Sequence, residues 1–496
     1  GTLDDAVVRH RRPERSPVTC HVQAPDMSTT PDLADLLARQ RAAFLAAAPP
    51  DAATRRADLR RLKAAIVRRR SEFAAAASTD FGHRSAHETL IADLNPTVQA
   101  IRYLVRHLGR WMRPERRRAA LHFFPARVQV VRQPLGVVGI LSPWNYPVFL
   151  ALSPLATAIA AGDRVMLKPS EHTPATSALI AEVVREVFPV EQATVVLGGP
   201  EVGAAFSGLP FDHLFFTGGG TVARAVMRAA SAHLVPVTLE LGGKSPVIID
   251  RGYPLERAAA AIATGKLFNA GQTCVAPDYA LVPEESVARF GELVARAAAR
   301  LYPTLRANPD YTAIASDRHY DRLTGLVEDA RARGATVIEV NPAGEDLRAG
   351  GGRKLAPTLL TGVTDAMAVM QEEIFGPLLP ILPYGAIQEA VDRINRGSRP
   401  LALYFFGGDT AARRTVLTRT TSGGVCINDT QLQVLQDDLP FGGVGASGMG
   451  AYHGREGFLT FSHSKAVMRQ PRLNLPSLLR PPYGRLAERM IDYLLR

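Results

Sequence analysis

The chain has 496 residues, 46% hydrophobic and 21% charged, enough at roughly 150 residues per domain for two or three domains, and too apolar for a disordered protein. Three scattered cysteines, Cys20, Cys274 and Cys426, cannot build a disulfide framework and point to a reducing, cytoplasmic compartment, while no apolar run reaches the ~18 residues of a membrane helix. The net charge of +11 raises the question of a nucleic-acid partner.

Residues 1–30 are polar and turn-prone, mix arginines with acids and lack an apolar secretion segment; a disordered tail is expected there, with Met27 as a natural start. From 31 to 118 leucine, alanine and arginine recur at helical spacing. An extended stretch, ARVQVVRQPLGVVGILS, follows. Then RVMLKPS, TVVLGG, DHLFFTGG and PVTLEL read as strands, with helices over TPATSALIAEVVREVF and TVARAVMRAASAH between them. Strand and helix in alternation imply a parallel sheet covered on both faces. A second α/β series follows: helices over 254–270, 285–301, 317–333, 386–396 and 410–419, with strands YALVP, ATVIEV, LLPILPY, LALYFFG and GGVCIND. Between 302 and 360, NPDYTAI and NPAGEDLRAGGGRK read as loop.

Three motifs carry chemistry. Gly218-Gly219-Gly220-Thr221-Val222-Ala223 fits G-x-G-x-x-A at a strand-to-helix turn, where free N–H groups and the helix dipole suit a pyrophosphate. Such glycines also serve purely steric ends. Glu240, 22 residues after Gly218, would then hold a ribose. Cys274, after the helix-ending Gly271, is by residue type a small buried hydrophobe; at a turn with free N–H groups it would instead be a thiolate of depressed pKa. Asn145 in PWNYP either satisfies a local X-Pro turn or presents a rigid amide to a developing oxyanion. Cys426, in an apolar strand, and Cys20 read as structural. His83 and His87 lack a third ligand nearby and read as solvated, so no metal site is expected.

PWNYP at 143–147, KPSEHTP at 168–174, FTGGG at 216–220, ELGGK at 240–244, GQTC at 271–274, EEIFGP at 372–377 and LPFGGVGASGMG at 439–450 occur in the order and at about the spacing of the NAD(P)-dependent aldehyde dehydrogenases. The chain resembles that superfamily over roughly 130–463, and within it the class 3 branch, especially the coniferyl aldehyde dehydrogenases. The resemblance implies a fold of two doubly wound α/β domains, a Rossmann-like cofactor domain (31–118 and 134–242) and a catalytic domain (243–442), with a small β arm (119–133 and 458–470) and a C-terminal segment at 471–496. The arm would pair two copies into a homodimer.

By the same resemblance Cys274 is the nucleophile, Asn145 with the Cys274 N–H the oxyanion hole, and Glu240 the base that hydrolyses the thioester, a reassignment away from the ribose. Lys168 and Glu171 resemble adenosine-ribose ligands, though on their own they read as a helix-start salt bridge. Glu373 resembles the ligand of the nicotinamide ribose, with Phe375 beside it, and on its own reads as a surface acid. Gly199, Gly218 and Trp144 lie where the family approaches its cofactor. NAD is implied, with NADP possible despite the charge of Glu171. Many relatives carry Ser or Thr where this chain has Gly219, so a hydroxyl that touches the cofactor phosphates is absent. Trp144, Tyr146 and Phe149 suggest an aromatic-accepting pocket for an aldehyde such as coniferyl aldehyde; aliphatic and other aromatic aldehydes, or transfer of the acyl group to coenzyme A, are the alternatives.

Against that background the charge reads differently. Only six of the 58 basic residues are lysines, and the excess is arginine in the N-terminal helices and tail. No DNA-binding motif accompanies it. An arginine-rich surface is expected, with neither nucleic acid nor membrane as partner.

Overall fold

The computed structural model describes residues 32–472 and 475–496; the expected tail at 1–30, with Met27 and Cys20, lies outside the described residues. Helices Leu33–Ala46 and Ala52–Arg68 start where aspartates cap them: Asp32 accepts from the N–H groups of Ala34 and Asp35, and Asp51 from that of Thr54. Their spacing of apolar residues buries Leu59, Leu62 and Ile66, joined by Phe73 of Arg70–Phe81, in a cluster with Ile180, Val183 and Val184 of helix Pro174–Val187. Arg55 departs from the expectation of solvated arginines. It is buried and donates to the carbonyls of Ala160 and Ala161, at the end of the wholly buried helix Phe149–Ala161.

The first strand series forms a six-stranded sheet in the order Gly448–Met449, Val237–Glu240, His213–Thr217, Val137–Leu141, Arg164–Lys168, Ala193–Val195. All neighbours are parallel except the antiparallel Gly448–Met449 edge. The chain winds outward from Val137–Leu141 in one direction and then, from His213, in the other. That reversal is the topological switch point of a doubly wound sheet, where ligands bind beyond the carboxyl ends of the strands.

The second series forms a seven-stranded sheet: Thr336–Glu339, Thr358–Thr361, Leu378–Tyr384, Tyr279–Pro283, Pro246–Ile249, Ala402–Phe406, Gly424–Ile427. Thr358–Thr361 is a strand that the sequence reading does not assign. Its four residues are too short to show a period, and it becomes a strand by pairing with Thr336–Glu339 on one side and Leu378–Tyr384 on the other. One apolar core joins both sheets, with Val138 and Leu155 in the same cluster as Val247, Ala280 and Tyr404.

A third, antiparallel sheet sets Arg127–Pro134 between Glu115–Arg117 and Ser462–Arg469. Two pieces expected in this arm are not extended. Residues 121–123 make one 3-10 turn, and residues 458–460 end helix Gly454–Thr460, where Phe458 is drawn into the core against Trp111. Likewise the helix expected over 254–270 stops at Leu267, and 268–271 form a separate turn. No helix among the described residues is long and apolar enough to cross a membrane.

Candidate active site

The six-stranded sheet delivers five candidate residues at its carboxyl ends: Asn145 beyond Val137–Leu141, Lys168 at the end of its strand, Gly199 beyond Ala193–Val195, Gly218 beyond His213–Thr217, and Glu240 at the last position of Val237–Glu240. Cys274 arrives from the opposite side, after a turn in which Asn269 (φ 51°), Ala270 (φ 50°) and Gly271 (φ 75°) are all left-handed. The two non-glycine residues cost of order 1–3 kcal/mol each in that region. At Gly271 a Cβ would also collide with the carbonyl of Gly376.

Side-chain amides hold the strained turn. Asn269 Nδ2 donates to the carbonyls of Asn145 (3.2 Å) and Gln272 (3.1 Å). Gln272 Nε2 donates to the carbonyls of Asn269 and Ala313, both at 3.0 Å, and its Oε1 accepts from Ala315 N at 2.9 Å. Asn145 Nδ2 donates to Gln272 O at 3.2 Å, which uses one of its two amide hydrogens and keeps the other for a ligand.

Two cavities meet at Cys274. One, of about 250 Å³, is lined by Trp144, Asn145, Gly218, Glu240, Cys274, Glu373 and Phe375. The other, of about 380 Å³, shares Cys274 and Leu150 and is walled by Tyr146, Phe149, Phe268, Val434, Phe441 and Tyr452, with Asp429 as its one charged group. Lys168, Glu171 and Gly199 line neither; they lie farther along the same sheet end. There Lys168 Nζ donates to Glu171 at 2.7 Å. The salt bridge read from their spacing therefore exists, beside the helix Pro200–Ser207 that Gly199 opens. Partial burial is the largest single influence on the Glu171 carboxyl and works to raise it, yet the Lys168 bond, the residue's own N–H and the charges of Lys168 and His172 together hold the group below the usual range.

Burial dominates the electrostatics around the thiol. Glu240 is 2% exposed, both its oxygens lack a hydrogen-bond partner, and desolvation pushes its carboxyl well above the usual range. Glu373, half-buried, is pushed up to about 8 by desolvation first and then by the negative charge of Asp278, with the Gly243 N–H opposing both. The expectation of a depressed Cys274 pKa is overturned. Burial, then the charges of Glu373 and Glu240, push the thiol up to about 12, against which its own N–H and that of Val275 act weakly.

Trp144 is wedged between Phe81, His319 and Phe375, with ring centroids 6.0, 5.1 and 5.5 Å away. Phe375 itself is left-handed (φ 50°). His319 and Arg322 also line the smaller cavity, and Arg322 donates to the carbonyls of Glu373 and Ile374. Neither was singled out from sequence, because both sit on an ordinary polar helix, Asp317–Ala332, with no motif around them. Tyr452, fully buried in the larger cavity with its hydroxyl unpartnered, was not singled out because it lies just beyond the glycine-rich motif that ends at Gly450. His83 and His87 bind the Pro309 carbonyl and Asp310 respectively.

The residues present fit a dinucleotide. A Cβ built on Gly219 or Gly220 meets nothing within 4 Å, so the first turn of helix Gly220–Ser231 offers its N–H groups to open space. A Cβ on Gly242 would strike the Glu373 carboxylate, so that glycine keeps the acid in the cleft. Thr217 Oγ1 and both Glu240 oxygens are buried without partners in the same region.

The model of the aldehyde dehydrogenase family matches residues 5–467. The chain belongs to the aldehyde dehydrogenase family. It is 50% identical over 464 residues to the coniferyl aldehyde dehydrogenase of a Pseudomonas species, covering 93% of this chain and 96% of the relative. Among solved structures, a substrate-bound state of Staphylococcus aureus AldH superposes with a TM-score of 0.87 at 37% identity, covering 93% of this dehydrogenase and 99% of that chain. An indole-3-acetaldehyde dehydrogenase in complex with NAD+ superposes with a TM-score of 0.81 at 26% identity, covering 88% of each chain. This aldehyde dehydrogenase is thus an oxidoreductase of two α/β halves.

Proposed function

We propose that the enzyme oxidises an aromatic aldehyde of the hydroxycinnamaldehyde type, such as coniferyl aldehyde, to its carboxylic acid with NAD+. The observation that carries this reading is the junction of the two cavities at one thiol. The larger is apolar and without a cationic side chain, which suits a neutral aromatic aldehyde and disfavours an anionic one. The smaller holds the polar residues.

Cys274 Sγ, once deprotonated, attacks the carbonyl carbon and forms a thiohemiacetal. Asn145 Nδ2 and the Cys274 N–H donate to the oxygen on which charge develops. When bound, NAD+ supplies the hydride acceptor and a positive charge beside the thiol. Lys168 and Glu171 would hold its adenosine ribose and Glu373 its nicotinamide ribose, Trp144 and Phe375 would line the nicotinamide end, and Gly199 and Gly218 would let backbone approach it. Loss of hydride leaves a thioester on Cys274. Glu240, an acid of raised pKa with both oxygens free, takes a proton from the water that hydrolyses it. Glu171 repels a 2′-phosphate, so NAD+ is preferred over NADP+.

The cofactor domain comprises 31–118 and 134–242, and the catalytic domain 243–442. Two copies pair through the three-stranded arm as a homodimer in the cytoplasm, where the catalytic thiol stays reduced. The test is turnover of coniferyl aldehyde, benzaldehyde and aliphatic aldehydes with NAD+ and no coenzyme A. The highest kcat/KM is expected for the hydroxycinnamaldehyde. A preference for short aliphatic aldehydes overturns the substrate assignment, and a need for coenzyme A overturns hydrolysis.

A further inference from the structure

Residues 84–94 carry three buried charged side chains that none of these steps uses. Arg84 is 1% exposed, and its three guanidinium nitrogens have no hydrogen-bond partner. It lies over the rings of Phe81 and Tyr146, 4.8 and 5.1 Å from their centroids, and faces the Asp93 carboxylate at 3.7 Å. Glu88 and Asp93 are also buried. Five residues apart on an α-helix they would point to different sides at ~100° per residue. A single π turn, Leu90–Leu94, inserted before helix Asn95–Trp111, brings them round toward one side.

Each carboxylate holds one catalytic loop. Asp93 Oδ1 accepts the N–H of Phe149 at 2.6 Å, at the start of the helix that follows the Asn145 loop. Glu88 Oε1 accepts the N–H of Asn269 at 3.1 Å, the first left-handed residue of the Cys274 turn, while its Oε2 accepts from Thr312 at 2.5 Å. Tyr146, under Arg84, closes the circuit with a hydroxyl bond to Thr273 at 2.7 Å. Nucleophile and oxyanion donor come from opposite sheets, and these contacts join their loops from behind. Burial works to raise both carboxyls, Asp93 to about 6; Arg84 is the main opposing influence on Asp93, whereas at Glu88 the Thr312 hydroxyl and the Asn269 N–H oppose it more than Arg84 does.

We propose that Arg84, Glu88 and Asp93 are positioning residues for the oxidation: Arg84, buried over Phe81 and Tyr146 and facing Asp93, and the two carboxylates, each bonded to one of the two loops, together set the separation of Cys274 from Asn145. Misplacing reacting groups by about 1 Å costs on the order of 10²-fold in rate. None of the three lines the cavity assigned to the cofactor, so the loss falls on acylation and spares cofactor binding.

The test is single-turnover NADH formation, enzyme in excess over aldehyde, in Arg84→Met, Arg84→Lys and Asp93→Asn. Arg84→Met keeps the length of the side chain without its charge. It should slow the single turnover at least tenfold with the KM for NAD+ within twofold of wild type, and Arg84→Lys should recover most of the rate. Asp93→Asn is nearly isosteric, guards against misfolding of the arginine variants, and should show the same split. A wild-type single-turnover rate in Arg84→Met or Asp93→Asn overturns the proposal. So does a parallel worsening of rate and NAD+ KM that lysine fails to rescue.

Discussion

Replacing Glu240 by Gln isolates one step of the reaction. The carboxyl is 2% exposed and neither oxygen has a hydrogen-bond partner, so an amide of the same shape breaks no ground-state contact, and the change in activity is chemical. General-base catalysis contributes about 10²–10⁴-fold, or about 2.7–5.5 kcal/mol of barrier at 1.36 kcal/mol per factor of ten. Steady-state turnover should fall by that amount. The first turnover needs Cys274 and Asn145 but not the base, so stopped-flow mixing should still show a burst approaching one NADH per active site. Because burial already disfavours ionisation of Glu240, removing the carboxyl should leave Tm near neutral pH unchanged or raised. A steady-state rate within tenfold of wild type refutes the assignment. So does a raised KM for NAD+ at unchanged kcat, which would return Glu240 to the ribose role that its spacing from Gly218 suggests.

Gly219 has an ordinary extended backbone (φ −79°, ψ 147°) and open space where a Cβ would stand, so Gly219→Ser should fold normally and lower the KM for NAD+ by roughly tenfold or less, the net yield of one added hydrogen bond at about 0.5–1.5 kcal/mol; initial-rate kinetics check this. Glu171→Gln should raise kcat/KM for NADP+ relative to NAD+, measured with both cofactors on one aldehyde, because the repelling charge is gone. Glu373, pushed up to about 8, is neutral below that pH and ionised above it. A raised folded pKa means that the native state holds the proton longer than the unfolded chain. Its stabilising contribution is therefore full below the unfolded value and lost as pH rises through about 8. Thermal melts of wild type should fall between about pH 5 and 8, with the fall levelling off above that, and Glu373→Gln should remove part of it.

Much of the site was legible because its residues sit inside motifs that local chain geometry demands. Gly271 must be glycine for a left-handed φ and for clearance from Gly376, and Gly242 for clearance from Glu373. Such steric requirements mark a sequence at fixed spacing. His319 and Arg322 serve the same cavity from a polar helix that imposes no local demand, and so left no mark. The strand Thr358–Thr361 was invisible for a related reason: its conformation is set by two partners distant in the chain.

The sequence by itself determined the two α/β series, the glycine turn and the family, and marked Cys274, Glu240 and Asn145 as candidates, since periodicity and motif spacing are properties of neighbouring residues. Only the tertiary structure decided what surrounds them. It placed the apolar and polar cavities on either side of one sulfur, raised the thiol to about 12 where a turn alone had suggested a depressed value, and set Arg84, Glu88 and Asp93 behind the loops that carry Cys274 and Asn145. Desolvation and charge proximity depend on what packs across the cleft, and no stretch of chain encodes that alone.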